Sequence, residues 1–136
     1  MRKLLMTGLI VGLGACAGTQ GDTSHVSARE SARQAALAEA RPAGEPVDCV
    51  SLIEIDHTNV RSDQVIDFVM KNHQVLRNTL PNSCPTLGNY ERFSYKTSIG
   101  RLCSVDTITV LDTSGHNGPT CGLGQFQPIE LPQKYR

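Results

Sequence analysis

The chain has few of the residues that proteins use to bind nucleic acid. Tryptophan is absent from its 136 residues, and three Phe and three Tyr supply all the aromatic rings. The 13 Lys and Arg are balanced by 13 Asp and Glu, so the formal net charge is zero. Nucleic-acid binding needs a clustered basic surface, and single strands also stack on aromatic rings. The composition therefore predicts no nucleic-acid partner.

Sequence motifs of several enzyme classes are also missing. The chain has neither the Cys-x-x-Cys of a thioredoxin-like site nor the Gly-x-Ser-x-Gly of a serine hydrolase. Gly122-Leu123-Gly124 lacks the third glycine of a dinucleotide-binding turn. We therefore expect a protein that is not an enzyme, with no catalytic residue and no cofactor.

The four histidines give no compact metal-binding pattern either, because they are far apart in the sequence. Each lies in a predicted tether or turn: His25, His57, His73 and His116. We expect surface histidines and no metal. In the alternative, the Asp56-His57 pair and the pair of Asp112 and His116 would converge as a metal or acid–base site.

Long apolar runs are missing too, and the longest apolar segment is residues 4–13. About 20 apolar residues are needed to span a bilayer as a helix, so this segment is too short. It follows the basic start Met1-Arg2-Lys3 and precedes small residues, which is the pattern of a secretory signal peptide. We predict a signal peptide over residues 1–15.

The signal ends in Leu13-Gly14-Ala15-Cys16, which resembles the lipobox of bacterial lipoproteins. This resemblance implies that the Cys16 thiol receives a diacylglycerol, that the preceding peptide is cut, and that the new amine is acylated, for example with palmitate. More than one acyl chain holds a protein stably on a membrane. Ala17 follows the cysteine, and the sorting rule of the family then implies the periplasmic face of the outer membrane. The membrane is therefore an expected partner, through the lipid on Cys16.

Four further cysteines remain, an even number that is typical of disulfides in an exported chain. They are Cys49, Cys84, Cys103 and Cys121. Four cysteines allow three pairings, and the sequence does not choose among them. We favour Cys84–Cys103 with Cys49–Cys121, because the second bond would join the two ends of the folded region.

Residues 16–46 are predicted to be a flexible or weakly helical tether behind the acylated cysteine. This segment is rich in small residues and proline. Ser27 and Glu30 are spaced as a capping box, which favours a helix to about Ala40. With almost nothing apolar to bury, such a helix is expected to be marginal in water.

Residues 47–136 are predicted to form an all-β domain, a small barrel or sandwich of about six short antiparallel strands with two disulfides. Residues 64–80 alternate around Asn72-His73, the pattern of a β-hairpin whose two faces are both partly covered. Single strands are predicted near residues 90–97, 102–111 and 121–129. Residues 113–119 form a predicted loop at a hairpin tip, and Gly122 and Gly124 indicate a bulge or a close backbone approach.

The order of motifs in this domain resembles an uncharacterised family of small proteobacterial lipoproteins. The motifs are Cys-Pro-Thr-Leu at residues 84–87, Phe-Ser-Tyr at 93–95, Leu-Cys-Ser-Val-Asp-Thr-Ile-Thr-Val at 102–110, and Cys-Gly-Leu-Gly-Gln-Phe-Gln-Pro at 121–128. The resemblance implies a shared disulfide-bearing fold and no particular activity.

Together these features predict an envelope lipoprotein that acts as a non-catalytic binding or structural module. Its partner would be another envelope protein or the cell wall, bound through the hairpin-tip loop that contains Ser114, His116 and Asn117. In the alternative, the protein inhibits a lysozyme-like or other envelope-attacking enzyme through a loop of the β domain.

Overall fold

The computed structural model describes residues 21–136, with side chains from residue 28 onward. In this range the chain is mostly β, with ten strands in three antiparallel sheets, which confirms the predicted fold class. The helices are α1 (Gly21–Glu39) and α2 (Leu87–Tyr90). The strands are β1 (Arg41–Pro42), β2 (Cys49–Ser51), β3 (Ile55–Val60), β4 (Val65–Met70), β5 (Val75–Thr79), β6 (Phe93–Tyr95), β7 (Arg101–Cys103), β8 (Thr107–Leu111), β9 (Asn117–Gly122) and β10 (Phe126–Glu130).

The largest sheet has five strands in the order β1-β10-β5-β4-β3. A two-stranded sheet pairs β2 with β7, and a three-stranded sheet has the order β6-β8-β9. The main hydrophobic core lies between one face of the five-stranded sheet and the two smaller sheets. Its fully buried members include Ile66, Phe68, Leu80, Leu87, Leu102, Ile108, Val110 and Phe126.

The predicted hairpin of residues 64–80 is confirmed as β4 and β5, and both of its faces are covered. Even-numbered residues such as Phe68 face the main core, and odd-numbered residues such as Val69 and Val75 face α1 and the chain's last residues. The turn has three residues, 71–73, instead of the predicted two. His73 takes the left-handed conformation that such a loop needs, with φ 67°.

Helix α1 packs on the outer face of the five-stranded sheet through the fully buried Ala36, which forms one hydrophobic cluster with Val69, Val75, Ile129 and Leu131. Polar contacts add to this packing: the Arg77 Nη2 donates to the Ala36 carbonyl at 3.2 Å. The helix is longer at its start than the predicted one, and these contacts stabilise it where its own composition would not. The predicted boundary at residue 46, between the tether and the β domain, stays a prediction.

A buried ionic group lies under α1. Asp67 is fully buried and accepts from Arg61 Nε at 2.8 Å and from Arg77 Nε at 2.7 Å. Arg77 Nη2 adds a second bond to Asp67 at 2.9 Å, and Arg61 Nη2 donates to the Tyr135 carbonyl. One carboxylate therefore joins β4, β5 and the residue that follows β3 to the helix and to the chain's last residues.

The disulfides are Cys49–Cys103 and Cys84–Cys121, so the favoured pairing was wrong although the number of bonds was right. Cys49 and Cys103 are direct cross-strand neighbours in the β2–β7 sheet. Cys84 follows β5 and is bonded to Cys121 on β9, which joins the segment after β5 to the three-stranded sheet. By the loop-entropy model each bond contributes about 4 kcal/mol.

The structure has four strands more than the expected six. β1 lies in the predicted tether, β3 covers residues predicted to be a turn, and two predicted strands are each interrupted. Residues 102–111 break at a turn where Asp106 Oδ2 accepts from the Cys103 N–H at 2.7 Å, which separates β7 from β8. Residues 121–129 break near Gly124, which separates β9 from β10. The first break moves Cys103 into a different sheet from β8, and this explains why the pairing was not foreseen.

Candidate functional site

The loop between β8 and β9 is organised around Asp112. Its Oδ1 accepts from the backbone N–H groups of Ser114 at 2.8 Å and His116 at 2.9 Å. The Asp112 N–H donates to the His116 carbonyl at 3.0 Å, and the Gly115 N–H donates to the Asp112 carbonyl at 3.0 Å. Gly115 has φ 83°, a conformation that glycine adopts without strain. The loop backbone is thus fixed by a dense set of short hydrogen bonds.

The same hydrogen bonds favour the charged form of Asp112. The His116 backbone N–H, followed by that of Ser114 and by the His116 ring, holds the pKa of Asp112 below its ordinary value of 3.8. His116 Nδ1 lies 3.3 Å from Asp112 Oδ2, while 81% of the His116 side chain is exposed. The loop therefore presents an exposed imidazole on a rigid backbone.

The structure brings the predicted loop residues Ser114, His116 and Asn117 together at this tip, and all three are exposed. The loop is shorter than predicted, because Asn117 already begins β9 and pairs with Leu111. Its irregular part is residues 112–116. A fixed backbone with exposed polar side chains loses little conformational entropy on binding, which suits a contact surface.

The two Asp–His pairs do not form one site. His57 Nδ1 lies 2.8 Å from Asp56 Oδ2, and this pair is on β3, so the prediction that His57 lies in a turn was wrong. Across the described part of the chain, no group of three or more His, Cys, Asp and Glu side chains is arranged to hold a metal ion. Each Asp–His pair is a separate contact between two side chains at the protein surface.

The predicted lipidation site, Cys16, lies outside the described residues. The other four cysteines are all consumed in the two disulfides. Helix α1 has 19 residues, and no helix within residues 21–136 is both long and apolar enough to cross a membrane.

Sequence reasoning did not find a cluster of arginines at the edge of β3. Arg29 and Arg33 lie one turn apart on α1 and both contact Glu91, Arg29 at 3.0 Å. Together with Arg61 they line a cavity of about 230 Å³ against β3. Arg61 is 28 to 32 positions from the two helix arginines and 30 from Glu91 in the sequence, so only the tertiary fold assembles the cluster.

Comparison with models of known protein families, with curated proteins and with solved structures gave no match.

Proposed function

We propose that the protein is a lipid-anchored, non-catalytic module of a bacterial envelope that binds another envelope component through residues 112–117. The anchor is Cys16, and the periplasmic face of the outer membrane is the proposed location. The lipobox-like sequence supports the anchor. The two disulfides support an oxidising compartment, because such bonds persist mainly outside the cytosol. We also propose, from the lipobox-like sequence and the disulfides, that the chain is related to small proteobacterial lipoproteins.

The main support for the binding role is the fixed backbone conformation of the β8–β9 loop. Asp112 fixes the backbone, while Ser114, His116 and Asn117 stay exposed. Polar groups on a preorganised loop can hydrogen-bond a partner at a small entropic cost. A partner surface that supplies hydrogen-bond acceptors and donors to these three side chains is the expected complement.

The binding role is tested by photo-crosslinking in intact envelopes. A photoreactive amino acid is placed at Ser114 in the full chain, and the matched control carries it at Ser98, an exposed serine in another turn. We expect a discrete crosslinked species from position 114 that disappears when Asp112→Ala is added, because the loop then loses its order. The same products from both positions would contradict the proposal.

The anchor is tested separately by metabolic labelling with radioactive palmitate. The full chain is expected to take up the label and to fractionate with membranes. Cys16→Ala should lose the label, and Cys49→Ala with Cys103→Ala should keep it. Equal labelling of the Cys16→Ala chain would contradict lipidation at this position.

A second candidate function, inhibition of a lysozyme-like enzyme, is favoured by the same loop. Enzyme inhibitors often insert a preformed loop into a cleft, and the analogy here rests on small disulfide-bonded β lipoproteins in general. The test uses residues 16–136 with Cys16→Ala, exported behind a cleavable leader and here called the soluble chain. Inhibition of lysozyme at about micromolar protein, lost in His116→Ala, is the expected outcome. Full lysozyme activity at that concentration would remove this candidate.

A further inference from the structure

The outer edge of β3 is free to pair with another strand. β3 is the last strand of the five-stranded sheet, and its other side pairs with β4. The Arg61 N–H donates to the Val65 carbonyl at 2.8 Å, and hydrogen-bonded pairs alternate along an antiparallel ladder. The N–H and C=O groups of Thr58 and Val60 therefore point away from β4. Within residues 28–136, no backbone hydrogen bond joins this outer edge to another segment.

A groove follows this edge. One part is a cavity of about 370 Å³ between β3 and the chain around β6, lined by His57, Thr58, Phe93, Tyr95 and Leu111 among others. The other part is the cavity of about 230 Å³ beneath α1. The two parts share Thr58 and Glu91, so they adjoin each other along the strand.

The two ends of the groove differ in chemistry. Arg29, Arg33 and Arg61 line the end beneath α1 against a single carboxylate, Glu91. Including the neighbouring contacts, four arginines (29, 33, 61 and 77) meet three carboxylates (Glu30, Asp67 and Glu91), which leaves one positive charge in excess. The other end carries the rings of Phe93 and Tyr95.

The side chain of Asn59 places an unsatisfied hydrogen-bond donor beside this end. Its side-chain Nδ2 is buried and has no hydrogen-bond partner in the described part of the chain. A buried donor without a partner costs about 1–3 kcal/mol, so such a group is usually satisfied by something else. Asn59 lines the same cavity as the three arginines.

We propose that this groove binds an extended peptide as an additional strand on β3, with a carboxylate of the peptide held at the arginine end. Main-chain hydrogen bonds to Thr58 and Val60 supply affinity, as in other cases of strand addition. Arg29, Arg33 and the Asn59 amide supply the donors for the carboxylate. An apolar side chain of the peptide contacts Phe93 and Leu111. The site adjoins residues 112–117 through Leu111 but does not depend on their role.

The test selects binders from a random library of peptides of about eight residues with free carboxyl termini, displayed against the soluble chain. The selected peptide is the probe. It is synthesised with a free carboxylate, as the C-terminal amide, and with each acidic side chain amidated. We expect one of the amidations to weaken binding by about tenfold or more, and which one does so tells a terminal carboxylate from an acidic side chain.

Two variants test the two halves of the site. Thr58→Pro removes the outward N–H and leaves the β3–β4 ladder intact, so it should weaken peptide binding by about tenfold. Arg29→Glu reverses a charge that is 70% exposed and should weaken binding by a similar factor. Arg101→Glu, an exposed charge reversal on β7, is the matched control and should change binding by less than about twofold.

Amide hydrogen exchange of the unmodified soluble chain keeps the test independent of how the variants fold. The Thr58 and Val60 amides are expected to exchange more slowly when the peptide is bound, and the amides of residues 114 and 116 should not change. Failure to select any peptide, unchanged exchange at Thr58 and Val60, or equal binding by all amidated forms would overturn the proposal. Protection of these two amides by concentration alone, without peptide, would overturn it in favour of a second copy of the chain.

Discussion

Asn78 and Gly124 hydrogen-bond to each other through both ends of the Asn78 carboxamide. Asn78 Nδ2 donates to the Gly124 carbonyl at 2.6 Å, and Asn78 Oδ1 accepts from the Gly124 N–H at 2.9 Å. Asn78 is fully buried on β5. Its amide therefore satisfies both backbone groups of a loop residue, in the way a neighbouring strand would, and holds the turn between β9 and β10 against the large sheet.

Gly124→Ala is expected to destabilise the fold by about 2–4 kcal/mol, because a Cβ at this position would lie 2.2 Å from the Thr79 carbonyl oxygen. The backbone would have to move and break the pair with Asn78. Gly122→Ala is the matched control, since a Cβ there meets nothing within 4 Å, and it should change the free energy of unfolding by less than about 0.5 kcal/mol. Urea unfolding of the two variants checks this, and similar losses in both would contradict it.

Asp67→Asn is expected to cost about 3–5 kcal/mol, because it leaves the buried guanidinium groups of Arg61 and Arg77 without their shared carboxylate. The measurement is the free energy of unfolding in urea. Asp56→Asn makes the same chemical change at an exposed carboxylate and should cost less than about 1 kcal/mol. A loss at Asp67 no larger than that at Asp56 would show that the buried group contributes little.

His73→Gly is expected to stabilise the β4–β5 hairpin by about 1 kcal/mol. His73 has φ 67°, and this left-handed conformation costs free energy for any residue with a Cβ. Thermal unfolding of the soluble chain measures the change. Asn72→Gly should act in the opposite direction, since Asn72 Oδ1 accepts from the Gln74 N–H at 3.0 Å. A loss of stability in His73→Gly would contradict the role given to this φ angle.

The order of the β8–β9 loop is expected to depend on acid pH. The pKa of Asp112 is lowered by the backbone N–H groups of His116 and Ser114, so the contribution of its carboxylate is fully present above the ordinary value of 3.8. It is lost as the pH falls through the lowered pKa of the folded chain. Amide resonances of Ser114 and His116, followed from about pH 6 to about pH 2, should shift with a midpoint below 3.8.

The control for this titration is Asp112→Asn, which keeps an oxygen acceptor and removes the ionisation. Its loop amides should show no transition in the same range. A midpoint at or above 3.8 in the unmodified chain would contradict the inferred pKa direction.

The parts of the fold that were predictable from sequence depend on neighbours along the chain. Alternation in residues 64–80 identified the β4–β5 hairpin, and the glycine at position 124 indicated a close backbone approach that the Thr79 carbonyl explains. The disulfide pairing was not predictable in this way. It depends on the Asp106 turn, which ends β7 directly after Cys103 and places that residue opposite Cys49.

The two candidate sites also differ in whether their residues are close together in the sequence. The loop with Ser114 and His116 is local, so turn-forming residues were enough to identify it. The groove on β3 is built from α1, β3 and the residues around Glu91, and its charges meet only after α1 has packed on the sheet. A helix with a single buried alanine gave no sequence signal for that packing.

The two disulfides interleave along the chain, in the order Cys49, Cys84, Cys103, Cys121, with the first bonded to the third and the second to the fourth. A protease that cuts once anywhere between the first and last of these leaves a single covalent molecule. Two cuts in different intervals do the same, whereas nested bonds would release the middle piece after cuts in the first and third intervals. Nicked copies would therefore stay in one piece until a reductant opened them.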